Sequence, residues 1–174
     1  VYKSYFVFGQ TLIDKTAINS GLRKRFTYEF DGIDTLKRLL SEKKGTLLIS
    51  ANIGNFEIAA KFLDDINANL MISMVTTDQE HSVIKNYLQS IGEVSKIKFI
   101  FIKDDLSHIF EINSALAANE LVCMTGDRYF EGSKTLSAPF LGKEALFPAG
   151  PFMLASRLNV PVVFVYVMKE RNLH

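Results

Sequence analysis

From residue 46 onward, short apolar runs alternate with segments of helical periodicity, and that alternation decides the class of fold. The run Thr46-Leu47-Leu48-Ile49-Ser50 reads as a buried strand. Further strands are expected at 70–75, 97–102, 121–125 and 161–167, with helices at 55–64, 79–91, 106–118 and 148–158 between them. Strands that alternate with helices form a sheet covered on both faces. Such strands are buried on both sides and read as continuous apolar runs, as these do. The expected fold is one α/β domain with a mostly parallel or mixed central sheet and helices on both faces. Its 174 residues suit a single domain with a real core.

The segment before the alternation reads as helical. Residues 3–19 place Phe6, Val7, Leu12, Ile13 and Ala17 at helical spacing, with Gly21 as a stop. A second helix is expected over 33–43, with Asp31 or Asp34 near its N-terminus, Leu36, Leu39 and Leu40 as its apolar stripe, and Gly45 after it. Residues 1–44 are thus a helical N-terminal segment and 45–174 an α/β core. Residues 126–147 lack steady periodicity and read as a long irregular connection. The chain begins at Val1 and stops just past an apolar run, so a fragment of a longer protein is expected. The most apolar stretch, 150–168, is interrupted by Arg157 and divided by Pro161. It falls short of the roughly 20 residues a membrane helix needs.

The single cysteine, Cys123, sits inside an apolar run and excludes an internal disulfide. A buried structural thiol in a reducing compartment is the expectation. The net charge of +1 hides an asymmetry: residues 1–44 hold nine Lys/Arg against five Asp/Glu. That excess includes Arg23-Lys24-Arg25 beside Phe26 and Tyr28, a pattern suited to a solvated helix end or an anionic membrane surface. The near-balanced total argues against nucleic acid as a partner.

Chemistry concentrates at two strand ends. In α/β sheets, ligands bind beyond the carboxyl ends of the strands. The first such end carries Ser50-Ala51-Asn52-Ile53-Gly54-Asn55-Phe56-Glu57. Gly54 permits a tight strand-to-helix turn, and Asn52, Asn55 and Glu57 place polar groups around it. Asn55 has the chemistry of an N-cap. The turn lacks the glycine spacing of a phosphate loop or dinucleotide fingerprint. The second end carries Gly126-Asp127-Arg128, readable as a structural ion pair, an anion site or a substrate-orienting pair. Ala138-Pro139-Phe140-Leu141-Gly142-Lys143 follows, then Phe147-Pro148-Ala149-Gly150-Pro151, which opens a helix whose amides suit an anion.

In this order the pieces resemble the lysophospholipid acyltransferase superfamily, and more narrowly the bacterial lipid A biosynthesis (lauroyl/myristoyl) acyltransferases. Members carry Ser-Ala-His-x-Gly-Asn-Trp-Glu or a close variant after a buried strand, matched by residues 50–57. A glycine and acid after a later strand match Gly126-Asp127, and a Phe-x-Gly element matches Phe140-Leu141-Gly142. A proline/glycine helix start matches Phe147 to Gly150, and a valine-rich final strand matches Val160-Pro161-Val162-Val163. The likeness spans roughly residues 30–174, with a weaker echo around Tyr5 and Asp14.

The resemblance implies transfer of a fatty acyl group from an acyl-carrier protein or CoA thioester to a hydroxyl of a membrane glycolipid. No metal or other cofactor is implied. It places the protein at the cytoplasmic face of the bacterial inner membrane, held at the surface or by an N-terminal helix preceding Val1. It also implies a base–orienter dyad at positions 52 and 57, in which histidine takes the acceptor's proton and the carboxylate holds the imidazole. Gly54, Asn55, Asp127, Arg128, Phe140, Gly142, Phe147 and Gly150 take the substrate-binding positions.

Position 52 departs from this pattern. It is Asn52, and an amide has no usable basicity near neutral pH. Three explanations stand: an engineered replacement, a divergent enzyme with another base, or a lipid- or carrier-binding protein without turnover. His81 is a weak substitute base, His108 reads as an ordinary helix residue, and His174 is terminal. Where related proteins often carry an arginine, at 85–100, this chain has none. Lys96, Lys98 or Arg128 are the cations available for an anionic group.

Overall fold

The structure is a computed structural model, and it describes residues 2–51, 53–55, 58, 70–77 and 97–169. Of the helix expected at 55–64 it describes residues 55 and 58. The helix expected at 79–91 lies outside the described residues, with His81 and Lys96. The elements in chain order begin with α1 (Tyr2–Asn19), a short 3-10 turn (Leu22–Arg25) and α2 (Ile33–Ser41). Strands β1 (Thr46–Ser50), β2 (Ile72–Thr76) and β3 (Ile97–Phe101) follow, then α3 (Ser107–Ala117) and β4 (Leu121–Thr125). The chain continues through β5 (Thr135–Phe140), β6 (Lys143–Pro148), α4 (Gly150–Leu158) and β7 (Val162–Phe164).

Five strands form one sheet in the order β3-β2-β4-β1-β7, and every pairing in it is parallel. Successive side chains of a strand point to opposite faces, and the core divides accordingly. Leu47 and Ile49 of β1 and Val122 of β4 pack with Ile112, Ala115 and Leu116 of α3, and Phe152, Leu154 and Ala155 of α4 join them. Leu48 and Leu121 point the other way, with Ile72, onto Leu36 and Leu40 of α2. Helices therefore cover both faces, as the alternating pattern requires. Cys123 packs with the second group, and burial pushes its thiol from 9.0 up to about 12.

Three details differ from the sequence reading. First, α2 ends at Ser41 rather than at 43; Asp34 stands in its first turn as expected, while Gly32 holds the cap position at φ 74 with no side-chain bond. Gly45 is no helix stop, because Lys43 takes the left-handed conformation instead. Gly45 is needed for another reason: a Cβ there would lie 2.2 Å from the Leu116 carbonyl oxygen. Second, residues 126–147 are not irregular throughout. They contain most of a β-hairpin, β5 and β6, paired from Thr135↔Pro148 to Phe140↔Lys143. Its central residues Leu141 and Gly142 have φ 53 and 79, the positive pair that type I′ turns require. Because Pro148 closes β6, α4 begins at Gly150 rather than 148. Third, the last strand is short, Val162–Phe164, although Val165 still donates its N–H to Ile49 O at 3.0 Å.

Candidate functional site

In a parallel sheet all carboxyl ends lie along one edge, so register decides which loops meet there. Ser50 pairs with Thr125, and the Gly126 N–H donates to Ser50 O at 2.8 Å. The two polar strand ends singled out from sequence are therefore neighbours. Gly126 is required by that closeness, since a Cβ would sit 2.7 Å from Ile49 Cγ2. Phe152 of α4 lies against the same spot, 3.9 Å from where that Cβ would be. The first turn of α4, with Gly150, thus abuts the end of β4. Its Ala149 N–H is already spent on Lys134 O at 2.9 Å.

The turn after β1 is held from its far side. Gly54 has φ 69 and forms a lone parallel bridge with Val167. A Cβ on Gly54 would approach the Val167 carbonyl oxygen to 2.0 Å, so conformation and space both demand glycine. The Asn55 N–H donates to Val167 O at 2.8 Å. Its side-chain Nδ2 donates to Thr11 O of α1 at 3.1 Å. The segment beyond Val167 is itself tied to α1, through Lys169 Nζ and Asp14 Oδ2 at 2.8 Å. Thr11, Asp14, Val167 and Lys169 were not singled out in this role by sequence reasoning. The contacts from Asn55 to Thr11 and from Lys169 to Asp14 span 44 and 155 residues, and no local pattern encodes such distances.

Asn52 and Glu57 lie outside the described residues. Asp127 and Arg128 follow Gly126 at the same edge and form a loose ion pair, Nε to Oδ2 3.9 Å, with the Arg128 side chain mostly exposed. Such an exposed pair is worth little energetically, which leaves the guanidinium accessible to an anion. Lys98 is on edge strand β3, three strands from β1, or about 14 Å at the usual interstrand spacing. The structure does not bring it to the turn. His108 accepts the Lys103 N–H at Nδ1, 3.2 Å, and so braces the loop into α3.

Phe140 and Gly142 ride at the hairpin tip, while Phe147 sits near its base. The Phe140 and Phe147 rings meet edge to face at 6.0 Å. Ala138 and Ala145 lie between them on the same face. No hydrogen bond or ring contact among the described residues joins the tip to the turn at 50–55.

A parallel three-layer domain with a glycine turn, polar groups and an accessible arginine converging on its carboxyl edge has the build of an α/β enzyme domain. Comparison with protein families sharpens this: the model described as bacterial lipid A biosynthesis acyltransferase matches residues 3–173, and the chain belongs to that family. No curated protein matches it. The family establishes acyl transfer as the general activity, with an acyl donor and a lipid acceptor as the general partners.

Proposed function

We propose that this chain handles a fatty acyl thioester, on an acyl-carrier protein or CoA, and the hydroxyl of a lipid A-type glycolipid at the carboxyl edge beside β1 and β4. The observation that carries the reading is the Ser50–Gly126 hydrogen bond, which sets the carboxyl end of β1, where the motif begins, beside the Gly126-Asp127-Arg128 segment. In this reading position 52 faces the acceptor hydroxyl, and Glu57 is the group that would orient a base there. Gly54 shapes the turn. Arg128 takes an anionic part of a substrate, and Asp127, Phe140, Gly142, Phe147 and Gly150 contribute to its binding. The transfer needs no metal or cofactor beyond the thioester co-substrate: the hydroxyl oxygen attacks the thioester carbonyl, the carbon–sulfur bond breaks, and the hydroxyl proton ends on the thiol. With Asn52 in place of a base, transfer is slow. Restoring it with Asn52→His is expected to raise transfer by about 10²–10⁴-fold, the usual worth of a general base. Radiolabelled acyl thioester and lipid acceptor supply the assay.

A second reading is favoured by Asn52 itself: a lipid- or acyl-carrier-binding protein without turnover. If the Asn52→His form binds acyl-carrier protein and lipid yet transfers no acyl group, that reading replaces the first. In either case the working position is the cytoplasmic face of the bacterial inner membrane. The basic N-terminal segment and the exposed apolar residues of α1 support contact with the lipid surface. Among the described residues no helix is long and apolar enough to cross a membrane.

A further inference from the structure

Helix α1 is a poorly packed element. Ile18 is its only buried residue, whereas Tyr2, Tyr5, Phe6, Val7, Phe8 and Ile13 are each more than half exposed. Where it faces the body of the domain, a cleft of about 270 Å³ opens between it, the Leu22–Arg25 turn and Lys169. The apolar contact of α1 is concentrated at Ile18, which packs with Ile58, Phe26, Phe30 and Val167; around Thr11 and Asp14 the ties are polar.

Those ties form a closed circuit around the turn after β1. Asn55 Nδ2 reaches Thr11 O. Asp14, three residues along and so one helical turn away, receives Lys169 Nζ. Two residues before Lys169, Val167 O accepts the Asn55 N–H and bridges Gly54. Asn55 thus spends its side chain and its backbone on this circuit. The transfer proposed above gives none of these groups the acyl group or the proton to move.

We propose that Asn55 and the Asp14–Lys169 ion pair are positioning residues, which fasten the turn at 53–55 to α1 and thereby set where the side chain at position 52 meets the acceptor. The inference rests on the acyltransferase reading for its consequence, but not for the fastening itself. The two are therefore tested separately.

The test compares the full chain with Asp14→Lys, the charge swap Asp14→Lys/Lys169→Asp, and Asn55→Asp, which keeps the side chain's shape and loses its donor. Amide hydrogen exchange is read on all four proteins, and acyl-transfer kinetics on all four in the Asn52→His background. Loss of the ion pair or of the Asn55 donor is expected to speed exchange of the Asn55 amide about 10-fold, while amides of β1 and β4 are unchanged, because the opening is local. The same variants are expected to lower kcat by about 10-fold or more with KM for the thioester changed less than about twofold, as misplacement of a reacting group does. The charge swap restores exchange and kcat together; a merely structural loss would not be repaired by inverting both charges. Unchanged Asn55 exchange in the single variants, or a swap that restores nothing, overturns the fastening. A loosened turn with full kcat overturns the positioning role. Exchange that responds and is rescued while the Asn52→His protein transfers nothing upholds the fastening and overturns the acyltransferase reading.

Discussion

Two glycines and one cysteine show how sharply single positions are constrained. Gly45 approaches the backbone of Leu116, and a Cβ would fall 2.2 to 2.6 Å from its carbonyl and Cα atoms. Backbone cannot step aside as a side-chain tip can. Gly45→Ala is therefore expected to lose about 3 kcal/mol or more, at the top of the range for overpacking. Gly132 is the control: its φ is 81 but a Cβ there meets nothing, so Gly132→Ala should cost only about 1 kcal/mol of left-handed strain. Urea unfolding of the two variants measures both. Cys123 supplies a pH prediction. Its folded thiol ionises near 12 against an ordinary 9.0. At pH 8 the thiolate fraction is thus about a thousandfold lower than in the unfolded chain, and alkylation by iodoacetamide should be slower by a similar factor. The sign for stability follows from the same shift. Its contribution is fully present below pH 9.0 and is lost as the pH rises toward 12. Rapid labelling of the native protein at pH 8 would contradict this. At this scale the sequence shows Gly54 as a turn residue, because its role begins in local backbone conformation. It hides the second need for Gly54, the nearby Val167 carbonyl, and the whole need for Gly45, because both arise from partners distant in the chain.

Elements were legible where one rule governed them. β1 and β4 run over the residues their apolar runs indicated. Helix α3 falls within one residue of its expected ends. It closes with Asn119 at φ 63, which donates to Leu116 O while Glu120 donates to Ala115 O; this is the paired bond pattern of a Schellman cap, in which asparagine substitutes for glycine. The hairpin was hidden because its cues conflict. Pro139 demotes a strand, and Leu141 occupies a turn position that favours Asn, Asp or Gly. In the structure Pro139 is tolerated because a two-stranded ribbon is all edge. Leu141 is kept at φ 53 and 88% exposed, which is a strained conformation for a bulky residue. Leu141→Asn relieves that strain and is expected to stabilise the protein by about 1 kcal/mol. Thermal unfolding reads the change, and a lower midpoint would show that the leucine has packing contacts that outweigh its backbone strain.

At the scale of the molecule, parallel strands with long connections leave strand order open, and the sequence does not say that β4 inserts between β1 and β2. That insertion is what brings Gly126 beside Ser50. The charge asymmetry, by contrast, was visible from composition, and the structure gives it a geometry. The exposed face of α1 runs into the Leu22–Arg25 turn, where Lys24 and Arg25 are exposed and Arg23 lies over the Tyr28 ring, 5.6 Å from its centre. An apolar helix face adjoining the exposed cations Lys24 and Arg25 is suited to an anionic bilayer, with the rings and aliphatic side chains among the acyl chains and the cations at the headgroups. Each basic residue near such a surface adds about 1 kcal/mol of attraction. Lys24→Gln/Arg25→Gln is therefore expected to weaken binding to phosphatidylglycerol-containing vesicles by about 30-fold, and raised salt should weaken the unmodified chain in the same way. Binding to neutral vesicles, which depends on the apolar face, should be the same for both forms. Flotation of the two proteins with each lipid at low and high salt decides the matter. Equal recovery of the unmodified chain with neutral and anionic vesicles would remove the electrostatic contribution and leave α1 with an apolar role alone.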